Sequence, residues 1–123
     1  MAKVSKLKLI YRNVEGIPVV TLKGRLVQAE VAQLRQQIRE IIEKHPPYFI
    51  LNLAHLDFID AHGLSVFISA LKIAQQRKGE VLLLNPMPNV RTMIELIRLQ
   101  ESFSIYADEA AAIAYCTQSL GNK

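Results

Sequence analysis

The sequence predicts an α/β fold in the order ββαβαβαβα, with a mixed sheet of about five strands. Short runs of alternating or continuous apolar residues, typical of strands, are separated by longer segments with apolar residues every three or four positions, typical of helices. The first two strand patterns follow each other across a short turn and therefore predict an antiparallel hairpin. Every later strand pattern precedes a helix, so we expect parallel neighbours joined by right-handed crossovers.

The predicted hairpin occupies the first part of the chain. Leu7, Leu9 and Tyr11 alternate with polar or charged positions, which is the pattern of a half-buried strand. The second strand is expected over residues 17–22, after a turn at Glu15-Gly16, and Gly24 is expected to end it.

A first helix is predicted over residues 29–44, because its apolar residues keep helical spacing. Pro46 and Pro47 then stop it, since proline cannot continue the helical hydrogen bonds. Residues 48–53 follow as a strand that is apolar on both faces, so both faces are expected to be covered.

A polar loop and a second helix come directly after this strand. The helix has apolar residues at i, i+3, i+4 and i+7, namely Leu64, Phe67, Ile68 and Leu71. We expect the helix to begin between Asp60 and Leu64, with the Asp60 carboxylate accepting free backbone N–H groups of the first turn. A polar loop that leads from a buried strand into a helix is a frequent place for function in α/β proteins.

The remaining elements complete the alternation. A strand is predicted over residues 81–84, a helix after Pro88, a strand over residues 103–106 and a last helix capped by Asp108. The third helix should bury the stripe Val90, Met93, Ile94 and Ile97. We expect seven side chains to be nearly inaccessible: Leu51, Leu53, Phe67, Ile68, Leu71, Leu83 and Ile94.

Composition narrows the class of protein. At 123 residues, half of them apolar, the chain is expected to form one domain spanning residues 1–123. Its net charge of +4 is mild, and no basic stripe with interleaved aromatics occurs, so nucleic-acid binding is not expected. No apolar segment is long enough to insert into a membrane, and the lone Cys116 fits a reducing cytoplasm.

Residues 49–64 resemble the signature of the STAS family, which contains bacterial anti-sigma factor antagonists and related domains of anion transporters. The matching residues are Phe58-Ile59-Asp60, Gly63 and Leu64, on the strand–helix context of the family. The resemblance implies a STAS-like domain whose helices pack mainly on one face of the sheet. It also implies a non-enzymatic protein that binds an anti-sigma factor or related regulatory kinase.

Two departures from the family pattern concern the phosphorylation switch that the resemblance implies. The family has Asp-Ser-Ser-Gly-Leu, and the kinase phosphorylates the serine before the glycine, whereas this chain has Ala61 and His62 there. The family also has Gly-x-Leu-Asp after the second strand, where this chain has Gly24-Arg25-Leu26-Val27. The switch is therefore interpreted as lost or rewired. His62 then acts as an interface contact, a phosphohistidine or a residue without a role, and Ser65 is a further candidate acceptor.

The second helix also predicts a docking face. Positions opposite the apolar stripe are small or apolar where charge is usual for a solvated face, and this favours a protein interface. The alternative is that another element of the chain covers them. The predicted partner-binding residues are Asp60, His62, Gly63, Ser65, Val66, Ser69 and Ile73.

Two other functions remain as alternatives. One is a STAS-like regulatory subunit of a membrane transporter. Another is a small metal-dependent enzyme using the loop residues His55, Asp57, Asp60 and His62, although these lack a familiar ligand spacing. No catalytic motif or phosphate loop occurs, so neither enzymatic activity nor a cofactor is expected. The sequence leaves open whether the chain forms a homodimer.

Overall fold

The computed structural model describes residues 7–98 and 103–121, and within them one mixed sheet of six strands carries four helices. The strands are β1 (Leu7–Val14), β2 (Ile17–Leu26), β3 (Tyr48–Asn52), β4 (Leu56–Ile59), β5 (Glu80–Leu84) and β6 (Ser104–Tyr106). The helices are α1 (Gln28–Glu43), α2 (Ala61–Gln76), α3 (Pro88–Leu96) and α4 (Glu109–Gly121). The predicted class and order of elements are confirmed, with β4 as an additional strand.

The sheet combines one antiparallel and several parallel pairings. β1 and β2 form the predicted hairpin, and the turn between them uses positive φ angles at Glu15 (53°) and Gly16 (86°). β2, β3, β5 and β6 then run parallel, which gives the strand order β1-β2-β3-β5-β6. Crossovers through α1, α2 and α3 therefore bring the N-termini of these helices to the carboxyl edge of the sheet.

β2 differs from its prediction, because it does not end at Gly24. Its register shifts between Gly24 and Arg25, and Gly24 has a φ of 108°, a conformation that glycine adopts without strain. From Gly24 onward β2 pairs with β4 instead of β3, in parallel and with Arg25 opposite Phe58. The loop predicted between the central strand and α2 thus contains a short strand.

Two apolar layers cover the two faces of the sheet. The larger layer packs α1, α2 and α3 on one face and includes Phe49 and Phe67, which are 1% and 0% exposed. The smaller layer packs α4 on the opposite face, against Ile17, Ile50 and Leu82. Helices on mainly one face, as the family resemblance implied, are therefore observed.

Most of the predicted core is buried. Leu51, Leu53, Phe67, Leu71, Leu83 and Ile94 are at most 6% exposed. Ile68 is an exception: it is only half-buried, since the buried stripe of α2 passes through Val66 and Ala70. Ile97 was also wrongly predicted, because it follows the last residue of α3 and is 45% exposed.

Cys116 lies on the buried side of α4, in the smaller apolar layer, with no exposed surface. Burial, followed by the nearby charge of Glu80, raises the pKa of its thiol to about 12.

In the part of the chain that the structure describes, no helix is long and apolar enough to cross a membrane.

Candidate functional site

The start of α2 is held by the Asp60 carboxylate. Its Oδ1 accepts the backbone N–H of Gly63 at 2.8 Å, which confirms the predicted N-cap. Its Oδ2 accepts the backbone N–H of Gln28, the first residue of α1, at 3.1 Å. The residue before α1, Val27, has no oxygen in its side chain to cap that helix. One carboxylate therefore caps two helices.

The ionised form of Asp60 is favoured in this position. Burial alone would raise the pKa of Asp60, but the hydrogen bonds from Gly63 and Gln28, together with nearby His62, outweigh it and lower the pKa. The two helix N-termini supply partial positive charge that acts in the same direction. Asp60 is therefore a charged group whose two carboxylate oxygens are both hydrogen-bonded within the chain.

His62 is the predicted site residue that the structure presents most openly. Its side chain is 58% exposed, and its Nδ1 lies 3.7 Å from Asp60 Oδ2. Ala61, the first residue of α2, is also exposed. The accessible surface at the start of α2 is therefore the pair Ala61–His62, standing on a capped helix end.

Gly63 is buried, and its role is internal. A Cβ atom there would lie 2.7 Å from Leu26 Cγ, 2.8 Å from Leu26 O and 2.8 Å from Ile59 Cγ1. The end of β2 therefore approaches the first turn of α2 so closely that only glycine fits without a shift. The prediction that Gly63 faces a partner is wrong.

Val66 is the clearest error in the predicted docking face. Its side chain is 1% exposed and belongs to the main core, because α1 packs along this side of α2. Ser65 marks the contact: its Oγ accepts from Arg35 of α1 at 2.9 Å and donates to the His62 carbonyl at 2.5 Å. The alternative that another element covers this face is therefore correct for Val66.

Ser69 and Ile73 lie farther along the same helix and are half-buried. Ser69 Oγ donates to the Ser65 carbonyl at 3.0 Å, and Ile73 packs against the core. The charged residue that α2 exposes between them is Lys72. Of the predicted face, only the N-terminal end therefore remains as open surface.

An apolar groove that the sequence did not reveal adjoins this end of α2. It has a volume of about 570 Å³ and separates the β4–α2 junction from α3. Phe58, Ile59, Asp60 and Ala61 line one side, and Asn89, Thr92 and Met93 line the other. The sequence offered one signal, since Phe58 is an aromatic residue in a stretch predicted to be a polar loop. In the structure its side chain is 38% exposed.

The histidines and aspartates of the loop do not assemble into a larger cluster. Asp60 and His62 lie together, but no group of three His, Cys, Asp or Glu residues suited to a metal ion occurs within residues 7–98 and 103–121. His55 and Asp57 are both exposed.

Comparison with known proteins identifies the family. The STAS domain family matches residues 8–112, which is most of the chain. The chain belongs to the STAS domain family. The motif of this STAS domain therefore lies at the β4–α2 junction, with Asp60 as the cap and Gly63 as the close-contact residue.

Two relatives of this STAS domain carry names that indicate a function. The protein BtrV of Bordetella bronchiseptica, named as a candidate anti-sigma factor antagonist, is 30% identical over 112 residues, covering 90% of this chain and 97% of the relative. The anti-sigma F factor antagonist of Paenibacillus polymyxa is 28% identical over 99 residues, covering 80% and 85%.

A solved structure agrees with both. The anti-sigma factor antagonist SpoIIAA in its unphosphorylated form is 27% identical and superposes with a TM-score of 0.74, covering 87% of this chain and 92% of that one. The chain is therefore a STAS domain homologous to anti-sigma factor antagonists.

Proposed function

We propose that this STAS domain is a non-enzymatic regulator that binds an anti-sigma factor or related regulatory kinase through the N-terminal end of α2. The homology to proteins named as anti-sigma factor antagonists supports the class of partner. The observation that carries the position is the open pair Ala61–His62 beside an apolar groove. The transporter alternative is weaker, because the relatives reported above are named as antagonists.

The cap on Asp60 supports a rigid contact surface. Because its carboxylate bonds to both Gly63 and Gln28, the first turns of α1 and α2 are held together without help from a partner. A surface that is already ordered loses less conformational entropy on binding. The backbone of His62 is then already in place when the partner binds.

His62 also defines the expected regulation. It occupies the position at which the family resemblance implies a phosphorylated serine, and it has no hydroxyl for a serine kinase to modify. We propose that His62 is a permanent contact, so that phosphorylation at this position does not release the partner. Ser65 is a poor replacement acceptor, because its Oγ is already bonded to Arg35 and to the His62 carbonyl.

The test is the affinity of the purified protein for the anti-sigma factor of its source bacterium, measured by calorimetry. His62→Glu introduces an unpaired charge into the proposed interface and should weaken binding by at least about tenfold, or about 1.4 kcal/mol. Lys72→Glu is the matched control, since Lys72 is exposed on the same helix outside the proposed surface. Both variants should melt like the wild type. Absence of binding by the wild-type protein would refute the proposed function.

A further inference from the structure

We propose that the groove between the β4–α2 junction and α3 receives an apolar side chain of the partner regulator, and that Arg25 receives a carboxylate beside it. This inference rests on the proposed function, because the groove shares Ala61 with the proposed contact surface. It adds a second contact region and states the chemistry of the partner segment.

Each polar side chain that lines the groove is already hydrogen-bonded within the chain. Both oxygens of Asp60 accept helix N–H groups, Asn89 donates to the Asp57 carbonyl at 2.6 Å, and Thr92 donates to the Pro88 carbonyl at 2.9 Å. The donors used in these bonds are not available to an entering polar group, which would lose water on entry. The free surface that remains comes from Ile59, Met93 and their apolar neighbours, so the groove favours an apolar occupant.

The apolar surface continues beyond the groove. Leu96 lies one helical turn after Thr92 and Met93 and is 72% exposed, and Ile97 beside it is 45% exposed. Phe58 is 38% exposed as well, so exposed apolar side chains adjoin the groove at both α3 and β4. A protein segment with an apolar anchor is the occupant that covers both the groove and this extension.

Arg25 supplies the charge that selects the segment. Its guanidinium lies 4.7 Å from the centre of the Phe58 ring, so the cation stacks on the wall of the groove. Arg25 is exposed, and no carboxylate of the described residues pairs with it. A stacked guanidinium keeps its N–H edges free for a carboxylate. We therefore expect Asp or Glu next to the apolar anchor.

The first experiment measures affinity for the same purified anti-sigma factor. Thr92→Trp fills the groove from an exposed helix position, and Arg25→Glu reverses the selecting charge. Each should weaken binding by at least about tenfold. The matched controls are Arg91→Trp, an exposed position of α3 about 100° around the helix from Thr92 and outside the groove lining, and Lys23→Glu, an exposed position of β2 outside the groove. Because Arg91 pairs with Glu95, the melting temperature of the Arg91→Trp variant is measured as well. Both controls should bind within about twofold of the wild type.

The second experiment places a photo-crosslinking phenylalanine analogue at Leu96 and maps the residue captured on the anti-sigma factor. Capture of an aliphatic or aromatic residue next to Asp or Glu supports the inference. Capture of a basic or wholly polar segment, or of a second copy of this chain, overturns it.

The outcomes separate the two proposals. If the wild type binds and the groove variants bind equally well, the groove inference fails while the proposed function stands. If His62→Glu and the groove variants all lose affinity, both are supported. If the wild type does not bind the anti-sigma factor, both fail.

Discussion

At the scale of single residues, Asp60 and Gly63 account for the geometry of the candidate site. Asp60 bonds to the first turns of α1 and α2, and Gly63 lets α2 approach the end of β2. The cap on α2 could be predicted because Asp60 and Gly63 are three residues apart. The bond to Gln28 could not, because 32 residues separate it from Asp60 and no local pattern records the pairing.

Removal of the shared cap should destabilise both helices. Asp60→Ala is expected to lower the free energy of unfolding by about 1–3 kcal/mol, since a single N-cap contributes about 0.5–2 kcal/mol. Because folding lowers the pKa of Asp60, its contribution is complete at neutral pH and declines as pH falls below its ordinary value of 3.8. Urea unfolding of both proteins across this acidic range measures the effect. A difference that does not shrink on acidification would contradict the charged cap.

The close approach at Gly63 predicts a second stability effect. Gly63→Ala places a methyl group against Leu26 and Ile59, and overpacking of this kind costs about 1–3 kcal/mol. Gly121→Ala is the control, because a Cβ atom there has no neighbour within 4 Å. Chemical denaturation of the two variants should show a loss at Gly63 alone. Equal stability of both would mean that α2 does not pack so closely on β2.

At the scale of elements, α2 shows what one helical pattern can and cannot predict. Its existence, its start and most of its core side follow from local spacing and capping. The side of α2 that packs against α1 could not be predicted in this way, because α1 lies in a distant part of the sequence. A face of small and apolar residues therefore has two explanations, a partner or another part of the same chain, and Val66 is covered by its own chain.

A charge at Val66 should consequently affect folding. Val66→Glu buries an unpaired carboxylate in the main core, so we expect a loss of several kcal/mol or complete unfolding at room temperature. Lys72→Glu, on the exposed side of the same helix, should leave the melting temperature nearly unchanged. Circular dichroism melts decide the matter. A folded Val66→Glu variant with wild-type stability would show that this side of α2 is open.

At the scale of the whole molecule, the sheet topology gathers the site from separate segments. β2 and β4 end next to each other, and α1 and α2 begin there, so Leu26, Gln28 and Asp60 meet although they are far apart in sequence. The ββαβαβαβα order could be predicted because it is the sum of local patterns. The groove could not, since it depends on where α3 comes to rest beside β4.

This retained scaffold predicts that a serine at position 62 would restore an acceptor. His62→Ser should gain phosphate when it is incubated with ATP and the kinase of the source bacterium, and its affinity for that partner should then fall. The wild type and His62→Ala should remain unmodified at this position, as mapped by mass spectrometry. Stoichiometric phosphate on Ser65 of the wild type would instead show that the acceptor has moved along α2.

The burial of Cys116 has a consequence for following the motions of this molecule. The chain has one cysteine, and with its thiol fully covered and its pKa raised to about 12, a thiol-specific reagent cannot react with the native state. Alkylation then requires α4 to separate from the sheet, so the alkylation rate in native buffer measures how often that opening occurs. α4 lies on the opposite face of the sheet from α1 and α2. Comparing the alkylation rate with and without the partner therefore tells whether binding at His62 changes the opening of α4.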